Sequence, residues 1–244
     1  MSTAVRMEGA EPPHVGQIIG LLLLIHLAIG LMVPFMLLHP LIAPPGFLAT
    51  AAGNSVQVRA AVILLFAGSA VAIGIAIVAL PVFRRYSSAM AFWLLALAVA
   101  GFSLQAVDNA HLLSMLSLSQ EYAKAGATKA EVFQALALVV GSARKWAHYS
   151  SLLVVGSWIF LLFSLLYRFR LLPRVLAAFG LVGSMLQITG VTLRGLFGYP
   201  PETRLAMPLA PAYVLLAVWL MIKGFDERHR SLDAEVHGVE VAGR

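Results

Sequence analysis

Gln17-Ile18-Ile19-Gly20-Leu21-Leu22-Leu23-Leu24-Ile25-His26-Leu27-Ala28-Ile29-Gly30-Leu31-Met32-Val33-Pro34-Phe35-Met36-Leu37-Leu38 contains no Asp, Glu, Lys or Arg. A helix rises 1.5 Å per residue, so about 20 such residues cross the roughly 30 Å hydrocarbon core of a bilayer. Five further apolar segments follow, at 60–82, 88–118, 145–167, 174–196 and 207–224. The whole chain of 244 residues is 60% hydrophobic and only 11% charged, against about 25% charged in soluble domains. With a mean hydropathy of +0.88, too few polar side chains remain to cover a water-exposed surface. These features predict an all-α integral membrane protein, a six-helix transmembrane bundle. The first segment is not expected to be a cleaved signal, because its apolar run exceeds the usual h-region of about 7–15 residues and Glu8 and Glu11 precede it.

The connections organise the chain into a segment 1–16, a membrane domain 17–224 and a charged tail 225–244. Pro40, Pro44 and Pro45 are expected to take the chain out of the first helix, since proline lacks an N–H and crowds the preceding turn. Ser119 to Ala127 is polar, and Thr128-Lys129-Ala130-Glu131 fits a capping box that opens a new helix. That helix is expected to run amphipathically over 129–143 and enter the membrane near Arg144, one long element extending out of the bilayer.

Orientation follows from Lys and Arg. Six spans place both termini with the second and fourth turns, a side that carries ten of the 17 Lys and Arg residues. Arg84-Arg85 and Arg168/Arg170/Arg174 lie in very short turns, where the rule is strongest. Both termini are therefore expected to be cytoplasmic, with the chain in the inner (plasma) membrane. The net charge of +6 then answers to topology and anionic lipid headgroups, with no nucleic-acid partner implied.

Ionisable residues inside spans are costly and therefore functional candidates. His26, Asp108, His111 and His148 stand well within the apolar stretches, and Asp108 is the sole acidic residue in any span. In Gln105-Ala106-Val107-Asp108-Asn109-Ala110-His111, spacings of three and four put Gln105, Asp108, Asn109 and His111 along one helical face. Arg144 and His148, with Ser151, form a matching face on the next helix. If helix three runs outward and helix four returns, the two stripes meet at one depth, with Arg59 opening the second span and Arg194 near the end of the fifth. Together these residues predict a polar cavity on the extracytoplasmic side. Asp108 is expected to pair with Arg144, Arg59 or Arg194, because an unpaired carboxylate in lipid is strongly disfavoured.

A plainer reading stands beside each of these. Asp108 can serve packing alone, His111 and His148 can be hydrogen-bonded core residues, and His26 a packing histidine. Tyr86, Trp93, Trp146, Tyr149, Trp158, Tyr167, Tyr199 and Trp219 suit an aromatic belt near span ends. Zero cysteines exclude disulfides, thiolate metal sites and cysteine nucleophiles. No phosphate-binding glycine loop, His-Glu-x-x-His or Gly-x-Ser-x-Gly occurs.

Gly156 to Tyr167, then Arg168-Phe169-Arg170-Leu171-Leu172-Pro173-Arg174 leading to Gly180, resembles an apolar helix, a basic Leu-Pro-Arg turn and the glycine-containing helix that follows in the DUF4386 family. Trp219-Leu220-Met221-Ile222-Lys223-Gly224-Phe225 is similar to that family's closing helix, and Asn54 with Arg59 to its second span. The resemblance implies a six-span bacterial membrane protein. The family's function is unknown, so it implies no catalytic residues and no cofactor.

Two functional readings follow from the residues. One is binding or transport of a small polar or anionic ligand among Arg59, Gln105, Asp108, Asn109, His111, Arg144, His148 and Arg194. The other is an intramembrane enzyme or a haem- or metal-binding redox protein that uses Asp108 and the histidines. A third possibility is an accessory subunit in which these residues serve folding. The sequence does not set the oligomeric state.

Overall fold

The computed structural model describes residues 14–125, 129–199 and 203–225, and among these every regular element is helical. Six main helices follow one another: α1 (Val15–Met32), α2 (Ser55–Arg84), α3 (Ser88–Ala125), α4 (Ala130–Arg168), α5 (Arg174–Phe197) and α6 (Leu209–Lys223). The first five are long and apolar enough to cross a membrane, whereas α6 has 15 residues, about 22 Å at 1.5 Å per residue. Single helical turns at Phe47–Thr50 and Thr203–Ala206 precede α2 and α6. The chain is a multi-pass helical membrane protein.

The chain leaves the first helix within the proline-rich stretch, past Pro40 and immediately before Pro44. Helical backbone continues from α1 through a π-helical turn, Val33–Leu38, and a last turn, His39–Ile42. Pro34 opens the π turn, whose wider ring accommodates a residue without an N–H. Next to Pro40, Gln57 on α2 donates its side-chain amide to the Leu37 carbonyl at 2.7 Å, the kind of side-chain repair that lets a spanning helix carry proline. The break comes at Ala43, whose ψ of 155° is extended. The following loop is tied to α3 through Ser119, which donates to the Leu48 carbonyl at 2.7 Å and accepts from the Ala52 N–H at 2.9 Å.

The third span also outruns its expected end. No Gly or Pro stands between 102 and 125, so α3 continues past 118 to Ala125 with an i,i+3 Lys124–Glu121 pair at 2.8 Å. The helices α3 and α4, 38 and 39 residues long, both exceed the about 20 residues that a bilayer crossing needs, and they pair as a hairpin. The expected cap residue Thr128 lies outside the described residues, as do Arg6 and most of the tail. The first half of α4 does not bury an apolar side: its first buried residue is Ser151, and Val132, Leu136 and Val139 are exposed.

Each main helix packs chiefly against its neighbours in sequence, and α6 closes onto α1, so the six form a ring. Small residues set the closest approaches. A Cβ on Gly20 would come within 2.6 Å of the Ala217 carbonyl oxygen on α6, and one on Gly180 within 2.1 Å of the Phe163 ring on α4. Gly68 and Gly156 likewise face Ile29 and Ile188, but Gly74 faces open space. One half of the ring is filled by an apolar core that includes Ile75, Phe83, Leu94, Leu162, Phe163, Leu166 and Leu216.

That apolar half ends at two basic turns. Arg84 stacks over Phe92, Arg168 over Phe169, and Tyr86 meets Phe169 with ring centroids 5.3 Å apart. The two turns thus lie together at one end of the bundle, opposite the hairpin. Arg170 takes a left-handed φ of 54° that reverses the chain, and Leu171 and Leu172 are driven inward behind it.

Candidate functional site

Asp108 lies about 20 residues from the start of α3, and His148 about 20 from the end of α4, roughly 30 Å in each case. With the basic turns at one membrane surface, both side chains fall near the far edge of a hydrocarbon core about 30 Å thick. The helical period turns Gln105, Asp108 and Asn109 inward together with Gly101 and Leu112, and all five are buried.

Asp108 is 1% exposed. Its Oδ1 faces Arg144 Nε at 3.5 Å, and its Oδ2 faces His148 Nδ1 at 3.3 Å. Gln105 donates its amide to Asp108 Oδ2 at 3.3 Å and to Asn109 Oδ1 at 3.1 Å. Asn109 in turn donates to the Val62 carbonyl of α2 at 3.3 Å. The network thus joins α2, α3 and α4. An ionised carboxylate only accepts, so the Asp108 contact calls for the proton of a neutral His148 on Nδ1 and leaves Nε2 as the acceptor.

The network is not closed. Asp108 Oδ1 and Arg144 Nε are both buried without a hydrogen-bond partner, since their 3.5 Å approach is an ion pair without hydrogen-bond geometry. The Arg144 side chain is 15% exposed and that of His148 42%. A fully buried anion therefore holds one guanidinium and one imidazole whose outer parts remain accessible.

The other expected members stand apart. His111 is half-buried, one turn further along α3, with no hydrogen bond or ion pair among the described residues. Arg59 is exposed, because α2 turns Val58, Ala61 and Val62 inward and leaves Arg59 pointing outward. Arg194 is exposed because its neighbour Gly195 is the residue packed against Tyr149. Neither arginine forms an ion pair among the described residues. The expected grouping around one carboxylate reduces to Gln105, Asp108, Asn109, Arg144 and His148.

A small cavity lies deeper among the described residues. It measures about 20 Å³, is lined by His26, Ser69, Gly101, Trp158 and apolar neighbours, and includes none of the eight expected site residues. Trp158 is buried at the centre of the bundle and is not part of an interfacial belt. His26, expected to pack, lies 5.8 Å from Trp158 and 6.1 Å from Tyr213, centroid to centroid. Sequence spacing could not group these residues, because they come from three helices that meet only when the ring closes. Among the described residues no three His, Asp or Glu side chains come together as a metal ion would require.

No curated protein and no solved structure matches the chain. The family described as a domain of unknown function, DUF4386, matches residues 18–224. Running from within the first helix to the end of the last, that match shows that the chain belongs to the DUF4386 family.

Proposed function

We propose that the protein binds a small polar or anionic ligand at the Asp108–Arg144–His148 cluster, on the extracytoplasmic side of the bacterial inner membrane, with both termini in the cytoplasm. The observation that carries this reading is the exposure gradient of the cluster: a buried carboxylate orients Arg144 and His148, whose side chains remain 15% and 42% exposed. Asp108 holds the Arg144 guanidinium in place, and the imidazolium form of His148 adds its outer Nε2–H as a second donor, so an anion binds with little reorganisation. The apolar packing of the basic-turn half supports binding over passage through the bundle.

The test is a titration of purified protein in nanodiscs with a panel of small anions, namely phosphate, sulfate, acetate and succinate, read by thermal shift and calorimetry. Saturable binding that disappears in both Asp108→Asn and His148→Ala, with their folds intact, is the expected result. No saturable response to any of them would refute the anion reading.

The 3.3 Å contact of His148 Nδ1 with Asp108 favours a second reading, in which His148 Nε2 acts as a general base oriented by the carboxylate. Haem absorbance and metal analysis of the purified protein test the redox form of that reading.

A further inference from the structure

Three polar side chains from three helices meet at mid-bundle without satisfying one another. His26 of α1 lines the small cavity, and no described protein group hydrogen-bonds to its ring. Trp158 of α4 lines the same cavity, and its indole Nε1–H is buried without a partner. Tyr213 of α6 stacks on His26, and its hydroxyl is also buried and unpartnered. Ser69 of α2 completes the polar lining. Its hydroxyl donates to the Leu65 carbonyl at 3.1 Å, so its oxygen can still accept.

Native interiors pair such groups or bring a water to them, and cavities that stay empty are apolar. The donor and acceptor inventory here calls for a bridging molecule. Indole donates only, a serine already donating can only accept, and a neutral imidazole offers one acceptor nitrogen. Water supplies two donors and two acceptors, and a cavity of about 20 Å³ meets the requirement of about 10–15 Å³ for one water.

We infer that His26, Ser69 and Trp158, with Tyr213 beside them, form a second polar site at the centre of the bundle that holds a water-sized hydrogen-bonding molecule. It is independent of the ligand reading for Asp108. Gly101, which lines the cavity, lies four residues from Gln105 at the inner end of the Asp108 network, about 6 Å along α3. Towards the basic turns the core is apolar.

Water-edited solid-state NMR on the full chain in liposomes, with ¹⁵N-labelled histidine and tryptophan, tests this. His26→Gln and Trp158→Phe identify the two signals by difference. Expected is rapid transfer of water magnetisation to the His26 ring and the Trp158 indole, with Leu97 methyls on the same cavity wall appearing later. Ser69→Val, which replaces the hydroxyl with a methyl in the cavity, should keep the fold and lower transfer to His26 several-fold. Signals for His26 and Trp158 that stay dark in the parent protein, uptake of xenon by the parent, or unchanged transfer in Ser69→Val would each overturn the proposal.

Discussion

His148 Nδ1 stands 3.3 Å from Asp108 Oδ2 across the α3–α4 contact, and this one approach fixes both the tautomer and the aspect of the imidazole. Because Asp108 is fully buried, its orientation is set by protein alone, whereas the 42% exposed His148 side chain has an outer edge to offer. Burial of the anion and exposure of the ring give the pair a direction, from scaffold to surface.

Replacing His148 by Phe keeps an aromatic ring at the helix contact but removes the hydrogen bond to Asp108. The carboxylate then keeps Arg144 and Gln105, so the expected loss is about 1–3 kcal/mol, the usual penalty for stripping one partner from a buried polar group. His148→Asn puts an amide N–H near the place of Nδ1 and should recover part of that loss. Chemical denaturation in a single detergent measures both. Equal stability of the Phe and Asn variants would mean that the contact contributes nothing.

Much of this was legible in the sequence, and the exceptions have physical reasons. The spans follow from apolar runs because bilayer thickness dictates helix length. The Gln105, Asp108 and Asn109 stripe, and its meeting with Arg144 and His148, follow from spacings of three and four on two consecutive helices. Arg59 and Arg194 did not join them, because a helical register does not say which side faces inward until neighbours are placed. The hairpin extension was hidden because Ser119 to Lys124 is polar yet contains no helix breaker. His26, Trp158 and Tyr213 were beyond reach, since only closure of the ring brings α1, α4 and α6 together.

Gly180 leaves room for the Phe163 ring, which packs directly against its Cα. An added Cβ would lie 2.1 Å from Phe163 Cε1, and Phe163 is buried with nowhere to move. Gly180→Ala should therefore destabilise the protein by about 1–3 kcal/mol, the range for overpacking, despite alanine's better helix propensity. Gly180→Ala combined with Phe163→Leu should be more stable than the sum of the single effects predicts. Additive losses would place the strain elsewhere.

The absence of cysteine allows topology to be read directly. Arg84→Cys lies at a basic turn and Lys124→Cys near the hairpin tip, and both native side chains are exposed. An impermeant maleimide applied to intact bacteria, or to spheroplasts where an outer membrane blocks it, should label Lys124→Cys and leave Arg84→Cys unmodified until the cells are lysed. The opposite pattern would reverse the orientation and place the Asp108 cluster on the cytoplasmic side.

Asp108→Asn asks whether the carboxylate is a fastener or part of a binding site. The substitution keeps the shape and one acceptor but removes the charge that balances Arg144, whose side chain is only 15% exposed. Breaking a buried pair by removing one partner costs about 3–5 kcal/mol. The Arg144–Asp108 approach is long at 3.5 Å and not hydrogen-bonded, and Gln105 and His148 can still contact the amide, so a loss at or below about 3 kcal/mol is expected. Arg144→Gln removes the permanently charged partner of Asp108 and should be the more damaging single change. The double variant should regain stability over Arg144→Gln alone, since neither charge is then stranded. Anion titrations on the same proteins separate the roles. If Asp108 only fastens helices, Asp108→Asn binds the anion in proportion to its folded fraction. If it positions Arg144 and His148 for the ligand, affinity falls at least about tenfold, or 1.4 kcal/mol, in protein that is still folded, and the double variant regains stability without regaining binding.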